Sequence, residues 1–333
     1  LFGAGHIENV TNLALMTGGP VWNASRGMHS WERNKIDWID YIDIPNHGNS
    51  TIVTKDYITS GEAYRLKLTD DEWYVIENHQ KLSSNDWAKD KGIYVYHIIR
   101  TKNFAPQITV KCADGNWDFE LDTLNGKLIK TQPNPTGKSE IDILIPTQKT
   151  KYACFEQVYG DNSAWGDRFD AFDPYYNNVI SPVSNPSNQN RAGQDFIIYV
   201  KEKENENFIV DIYFDDIYQS SPPSKPQIND ISIDDKGALK LTWLKNNEPD
   251  LAGYVLYAYI INEGNPELIE SKNLNKHITS ISISENLLQK NQKNALALAS
   301  FDITEKESLK SDFIELIYNN DSEKWDWKRK ETY

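Results

Sequence analysis

Most of the chain alternates between apolar and polar residues with a period of two, which is the pattern of β-strands. Tyr64, Leu66 and Leu68 alternate with polar side chains, as in a strand that buries one face. The segments Trp73–Ile76 and Ile93–Ile98 are continuously apolar instead. Continuous apolar runs of this length predict strands that are buried on both faces.

The same pattern continues beyond residue 100 and predicts a β-sandwich that ends near residue 219. The further strands are predicted at Gln107–Lys111, Lys127–Thr131, Glu140–Ile145, Phe196–Val200 and Phe208–Phe214. A short helix is predicted before the sandwich, with Ser30 as its cap and Trp31 and Glu32 in its first turn.

A second set of strands follows the proline-rich segment SSPPSKP, residues 220–226, which has the composition of a linker. Strands predicted at Leu239–Trp243, Val255–Tyr257 and Ala295–Phe301 fit a sandwich of roughly a hundred residues. Trp243, Asp250, Gly253 and Tyr254 resemble the second and third strands of fibronectin type III modules. This resemblance implies a fibronectin type III-like domain at 227–319, and the charged residues 320–333 are predicted to form a tail.

Composition limits the classes of partner. Hydrophobic residues make up 39% of the chain and charged residues 25%, which is typical of a globular protein. The net charge of -14 argues against nucleic acid and anionic membrane as partners, since both require a basic face. No apolar run approaches the roughly 20 residues of a membrane span. Cys112 and Cys154 allow one disulfide or two buried thiols.

Several segments together resemble one known family. ALMTGGPVWN and SWERNKIDWI, near the N-terminus, resemble the methionine turn and the following helix of secreted zinc metallopeptidases of the immune inhibitor A type. EWYVIENHQ, KGIYVYHI, ADGNWDFE, GDRFDAFDP and SNPSNQ resemble its later strands and loops, so that the similarity runs from about Asn12 to Ile217. It implies a mainly β chain in which 1–45 ends a zincin-like catalytic domain, with Met16 in the turn under the zinc, and 46–219 form a β-sandwich domain.

The zinc-binding motif of that family, H-E-x-x-H, is absent from this sequence. In that motif two histidines one helical turn apart bind zinc, and the glutamate activates water. The resemblance therefore implies that zinc binds in a part of the protein upstream of Leu1, and that this chain carries no catalytic residue. Glu8 is a candidate for a third zinc ligand, and the alternative is an ordinary surface glutamate.

Two further groups of polar residues are candidate sites. Glu77, Asn78 and His79 end a predicted central strand, where they can bind a substrate backbone or hold a neighbouring loop by hydrogen bonds. A second group provides closely spaced oxygen ligands of the type that calcium requires, although acidic loops of this kind are also found as solvated turns. Its members are Asp161, Asp167, Asp170 and Asp173.

Two functions are compatible with these patterns. The first is the downstream, non-catalytic part of a secreted zinc-dependent endopeptidase, located outside the cell, with protein or peptide substrates. The second is a catalytically inactive, peptidase-like surface protein that binds glycan or protein ligands, for which the ten tryptophans and eighteen tyrosines provide suitable surfaces. An H-E-x-x-H motif encoded upstream of Leu1 would distinguish the first function from the second.

Overall fold

A computed structural model describes residues 28–100, 106–122, 127–134, 150–152, 168–233, 238–284 and 287–333. The protein is mainly β, as the alternating pattern predicts. It divides into two compact units, Leu1–Ile217 and Tyr218–Tyr333. The predicted strand Glu140–Ile145 lies outside the described residues.

Unit 1 contains most of the short helical turns and the first twelve strands. The helices are α1 (Ser30–Lys35), α2 (Tyr57–Ser60) and α3 (Ile217–Ser220), which crosses into unit 2. The strands are β1 (Ile42–Ile44), β2 (Asn49–Thr54), β3 (Tyr64–Lys67), β4 (Glu72–His79), β5 (Gly92–Ile99), β6 (Gln107–Lys111), β7 (Trp117–Asp122), β8 (Lys127–Pro133), β9 (Thr150–Tyr152), β10 (Val179–Ile180), β11 (Ile197–Glu204) and β12 (Asn207–Tyr213).

Two sheets form the sandwich of unit 1. The five-stranded sheet has the order β1-β3-β4-β5-β6, with β1 and β3 parallel and the other pairs antiparallel. The four-stranded sheet has the order β10-β11-β12-β2. Leu66, Ile76 and Val95 from the first sheet share one core with Ile198 and Val210 from the second. A separate three-stranded sheet has the order β8-β7-β9.

The other face of the five-stranded sheet is covered by the segment that precedes it. Val75 and Tyr96 share a second core with Tyr57 of α2, and Trp31 of α1 and Tyr41 pack against it. This double cover explains why all eight residues of β4 are buried. The continuous apolar runs that predicted deeply buried strands are confirmed in β4 and β5.

The start of α1 differs from the prediction. His29, not Ser30, is the N-cap: its Nδ1 accepts a hydrogen bond from the backbone N–H of Trp31 at 3.0 Å. Glu32 completes a capping box by accepting from the backbone N–H of His29 at 2.9 Å. Histidine is not among the preferred capping residues, so the serine beside it gave the stronger sequence signal.

Unit 2 is a sandwich of a three-stranded and a five-stranded sheet, with the orders β13-β14-β17 and β16-β15-β18-β19-β20. Its strands are β13 (Ile228–Ile233), β14 (Leu239–Trp243), β15 (Leu251–Asn262), β16 (Asn265–Asn275), β17 (Ser280–Ile283), β18 (Asn294–Asp302), β19 (Phe313–Asn319) and β20 (Lys324–Lys330). The first seven have the three-plus-four arrangement of a fibronectin type III module. Trp243 and Tyr254 meet in its core, with ring centroids 5.4 Å apart.

Gly253 shows why this motif carries a glycine. A Cβ added at this position would lie 2.5 Å from the carbonyl oxygen of Leu274 in β16 and 2.8 Å from the ring of Phe301 in β18. Only glycine permits both neighbours to approach β15 this closely.

Two predicted boundaries change in unit 2. Residues 320–333 are not a tail, because β20 pairs with β19 from Lys324 to Lys330 and buries Trp325 in the core. The predicted linker 220–226 also belongs to the module in part: the backbone N–H of Ser224 donates to Glu248 at 2.7 Å, and Asn246 Nδ2 donates to the Ser224 carbonyl at 2.8 Å. Local composition indicated a linker because it does not reveal these distant partners.

None of the helices in the described ranges has the length and apolar character needed to cross a membrane.

Candidate functional site

The three candidate residues at the end of β4 point to opposite faces of the sheet, as the period of a strand requires. Asn78 Nδ2 donates to the carbonyl oxygens of Thr54 at 3.1 Å and Glu206 at 2.8 Å, and so connects β4 to β2 and to the turn between β11 and β12. Glu77 and His79 lie on the opposite face, with Val75 and beneath α1. Asn78 thus has the structural role that was one of its two predicted alternatives.

Glu77 and His79 belong to a buried chain of ionisable groups. His79 Nε2 lies 3.0 Å from Glu77 Oε2, and His79 Nδ1 lies 2.8 Å from Asp86 Oδ1. Asp86 also accepts the backbone N–H groups of Lys81 and Ala88, both at 3.1 Å. The imidazole is therefore held between two carboxylates, of which Asp86 is fixed by its own loop.

The same series of buried ionisable groups also contacts the N-terminal segment, through Glu77. The backbone N–H of Ser30 donates to Glu77 Oε1 at 3.1 Å, and His29 Nε2 lies 3.8 Å from the same oxygen. Tyr57 Oη donates to the carbonyl oxygen of Met28 at 2.7 Å. His29, Ser30 and Glu77 are at most 1% exposed, so α1 is joined to the sheet by polar contacts from which water is excluded.

The geometry determines the charge of these groups. Burial alone would lower the pKa of His79, but the hydrogen bonds to Asp86 and Glu77 outweigh it and raise the pKa to about 9. Burial would raise the pKa of Glu77, but the neighbouring His29 and His79 lower it to about 2. Burial lowers the pKa of His29, which keeps that imidazole neutral near pH 7. The cluster therefore contains one imidazolium between two carboxylates.

This arrangement is suited to holding segments in place and not to binding zinc. Both ring nitrogens of His79 and both oxygens of Glu77 already have hydrogen-bond partners within the protein. The sequence indicated Glu77 and His79 but missed His29 and Asp86. Asp86 lies in the polar segment KLSSNDWAKDK, where nothing in the local pattern distinguishes a buried carboxylate from an exposed one.

The candidate calcium residues are only partly described. Asp161 and Asp167 lie outside the described residues. Asp173 Oδ1 accepts the backbone N–H groups of Tyr175 at 2.6 Å and Tyr176 at 2.8 Å, which is the geometry of an acidic turn. Asp170 is buried beside Cys112 and Asp114, and one donor atom from each of the three lies within 4.8 Å of the others. Calcium binding by these aspartates stays a prediction.

The resemblance assigns two residues of this chain, Glu8 and Met16, to the surroundings of the zinc. Glu8 and Met16 lie outside the described residues, as does Cys154, the possible partner of buried Cys112. Within the described ranges, the grouped donors Cys112, Asp114 and Asp170 include no histidine and do not form the pair of histidines one helical turn apart that the zinc helix requires. The zinc site that the resemblance implies upstream of Leu1, with Glu8 as a candidate ligand, therefore stays a prediction.

A groove of about 520 Å³ opens beside α1, at the end of the five-stranded sheet near Arg100. We call it the aromatic groove and define it by Trp31, Tyr41, Arg65, Lys67, Trp73 and Arg100. The guanidinium of Arg65 lies 5.1 Å from the centroid of the Tyr41 ring, and that of Arg100 lies 5.8 Å from the Trp73 ring. Sequence analysis did not find this groove, because its residues come from four separate parts of the chain.

Comparisons with known proteins identify no family. No family model matches the chain, and no curated protein matches it significantly. Among solved structures, it is similar to the spore cortex lytic enzyme SleM of Clostridium perfringens, with 18% identity and a TM-score of 0.23 over 39% of this chain and 36% of that one. The chain thus spans little more than a third of SleM.

Two further similar structures contain fibronectin-type domains. An Fn3-like protein from Clostridium thermocellum has 21% identity and a TM-score of 0.21, over 28% of this chain and 90% of that chain. The FN1–FN3 domains of chicken CNTN1 have 9% identity and a TM-score of 0.24, over 77% and 97% of the two chains. Similarities at TM-scores this low do not identify a function. The fibronectin type III-like assignment of unit 2 follows from its own strand order.

Proposed function

We propose that unit 1 belongs to a secreted zinc-dependent endopeptidase, as a non-catalytic part that follows the zinc helix. In such an enzyme the metal supplies an activated water for hydrolysis of the peptide bonds of protein or peptide substrates. The role of the described part of unit 1 is to fix the chain that follows Met16, from Met28 onward, on a rigid sheet. Secretion and action outside the cell are part of the same proposal.

One observation carries this proposal: Glu77 in β4 accepts the backbone N–H of Ser30 inside a closed, buried cluster. Ser30 follows in sequence after the residues that resemble the methionine turn, so this contact fixes the chain at a point downstream of them. Catalytic groups must be held to within a fraction of an ångström by their surroundings, and a buried charged hydrogen bond is suited to that purpose.

The proposal is tested first by the coding sequence upstream of Leu1, which should contain H-E-x-x-H. The longer protein should then contain zinc by metal analysis and cleave casein, and a chelator should abolish the cleavage. The 333-residue chain alone should not cleave casein. An upstream sequence without the motif, or chelator-sensitive cleavage by the 333-residue chain alone, would contradict the proposal.

A substitution in the longer protein tests the role of Glu77. Glu77→Gln weakens the charged contact to Ser30 and should lower kcat for casein about tenfold or more, while near-ultraviolet circular dichroism remains that of a folded protein. Glu204→Gln, at an exposed position at the end of β11, is the matched control and should leave kcat unchanged. Equal kcat values for the two variants would show that Glu77 does not position the catalytic part.

The alternative function is a peptidase-like surface protein without catalytic activity that binds a glycan or protein ligand. The aromatic groove favours this alternative, because aromatic rings and cations together form a surface to which such a ligand can bind. The two functions are distinguished by the upstream sequence described above.

A further inference from the structure

We propose that the aromatic groove binds an acidic saccharide, a sugar chain that carries carboxylate groups. This inference does not depend on the proposed peptidase function, since the groove lies entirely within residues 31–106 of this chain. It concerns a ligand site and a class of ligand, and its test requires no enzyme activity.

The groove brings four cations together on a protein whose net charge is negative. Four cationic and two anionic side chains line it: Lys35, Arg65, Lys67, Arg100, Asp37 and Asp70. The whole chain has a net charge of -14. Asp43 and Asp71 pair with Arg65 and Arg100 nearby, so a small anion is attracted at short range by contact with individual cations, while the negative remainder of the surface repels long polyanions.

Two of the cations, Lys67 and Arg100, are exposed and can exchange their partners for a ligand. Arg65 forms a two-point ion pair with Asp43, at 2.7 and 2.9 Å, but the Asp43 side chain is 59% exposed. Lys67 Nζ lies 2.7 Å from Asp70 Oδ1, and the Asp70 side chain is 91% exposed. The single contact between the exposed Lys67 and Asp70 contributes little to stability, so a ligand carboxylate can replace Asp70 at low cost, whereas the two-point pair of Arg65 stays in place.

Arg100 is more accessible than Arg65 and Lys67. Its Nη1 lies 4.0 Å from Asp71, at the limit of an ion pair, and both side chains are more than 60% exposed. A guanidinium presents a planar pair of donors that matches a carboxylate. Arg100 can therefore bind a sugar carboxylate through the edge of its guanidinium, which lies 5.8 Å from the centroid of the Trp73 ring.

The aromatic side chains favour a saccharide over an acidic peptide. Trp31 and Tyr41 are half-buried in the second core of unit 1, so part of each ring remains at the surface of the groove. A flat ring face fixed in this way matches the apolar C–H face of a sugar ring. A short acidic peptide has carboxylates but no such flat face, so it can contact the cations of the groove but not the aromatic rings.

The experiment is isothermal titration of the full 333-residue chain with three probes of similar length. Trigalacturonate carries carboxylates on sugar rings, galactotriose has the rings without the charges, and triglutamate has the charges without the rings. Trigalacturonate should bind with a Kd of about 1 mM or tighter. Galactotriose and triglutamate should each bind at least about tenfold more weakly, and added salt should weaken trigalacturonate binding.

Variants locate the site. Arg100→Gln and Lys67→Gln change exposed side chains, so the fold should persist, and each should weaken trigalacturonate binding about threefold to tenfold. Lys201→Gln, an exposed lysine in the four-stranded sheet, is the control and should bind like the wild type. The proposal is overturned if trigalacturonate does not bind, if triglutamate binds equally well, or if Arg100→Gln and Lys67→Gln bind like Lys201→Gln.

Discussion

His79 shows how neighbouring residues can give a side chain a charge that its burial opposes. The ring is 3% exposed, and burial of this kind disfavours an imidazolium. Glu77 and Asp86 reverse that preference because each accepts a hydrogen bond from one ring nitrogen. Removing the histidine would leave two buried carboxylates without the cation between them, which is costly in a medium of low polarity.

This geometry predicts a stability that depends on pH. The pKa of His79 is raised from 6.5 to about 9 in the folded protein. The stabilisation is therefore fully present below about pH 6.5, declines above it, and is lost as the pH rises through about 9. The part lost over this range is on the order of 3 kcal/mol. Thermal unfolding of unit 1, followed from pH 6 to pH 10, should show a falling midpoint.

The matched variants are His79→Gln and His47→Gln. His47 is exposed, so its substitution should leave the pH dependence unchanged. His79→Gln should lower the midpoint at pH 6 and flatten the curve between pH 6.5 and pH 9. A wild-type midpoint that stays constant over this interval would mean that His79 is neutral in the folded protein.

At the scale of elements, β20 shows that pairing with a neighbouring strand can form a strand that the local sequence does not indicate. Its sequence KWDWKRK is rich in charge, and only Trp325 is buried in the core. Glu315 in β19 is buried and forms ion pairs with Lys293 at 2.7 Å and with Lys328 of β20 at 3.0 Å. Lys328 and Lys330 of β20 thus share a carboxylate on the neighbouring strand, and lysines of this kind are typical of an edge strand.

The two tryptophans of β20 provide a matched pair of substitutions. Trp325→Ala removes a side chain that is 7% exposed and should reduce the free energy of unfolding of unit 2 by about 3 kcal/mol. Trp327→Ala removes one that is 45% exposed and should cost less than about 1 kcal/mol. Chemical denaturation of the two variants measures the difference. Similar losses for both would show that β20 contributes no core residue.

At the scale of the whole molecule, the division after Ile217 predicts that unit 2 folds independently. Unit 2 includes the segment 220–226, which composition assigned to a linker, and the segment 320–333, which composition assigned to a tail. A chain of 218–333 should therefore unfold cooperatively, and 227–319 should have a clearly lower melting temperature, because it lacks the contacts of Ser224 and the strand β20. Circular dichroism melts of the two fragments provide the comparison, and equal melting temperatures would place both segments outside the module.

The sequence alone determined the class of the fold and most of its strands. Period-two alternation identified β3 and β12, and continuous apolar runs identified β4 and β5, because side-chain direction along a strand is a local property. It also indicated Glu77, Asn78 and His79 as unusual, since polar residues directly follow an apolar run within one strand.

Only the tertiary structure decided what those residues contact. The partners of Glu77 and His79 are Ser30, 47 residues away, and Asp86 in a polar loop, and neither distance nor burial can be read from local composition. The aromatic groove likewise combines Trp31, Arg65 and Arg100 from separate segments. Strand periodicity depends on neighbours in the chain, whereas a buried charge cluster or a groove depends on which segments fold against each other.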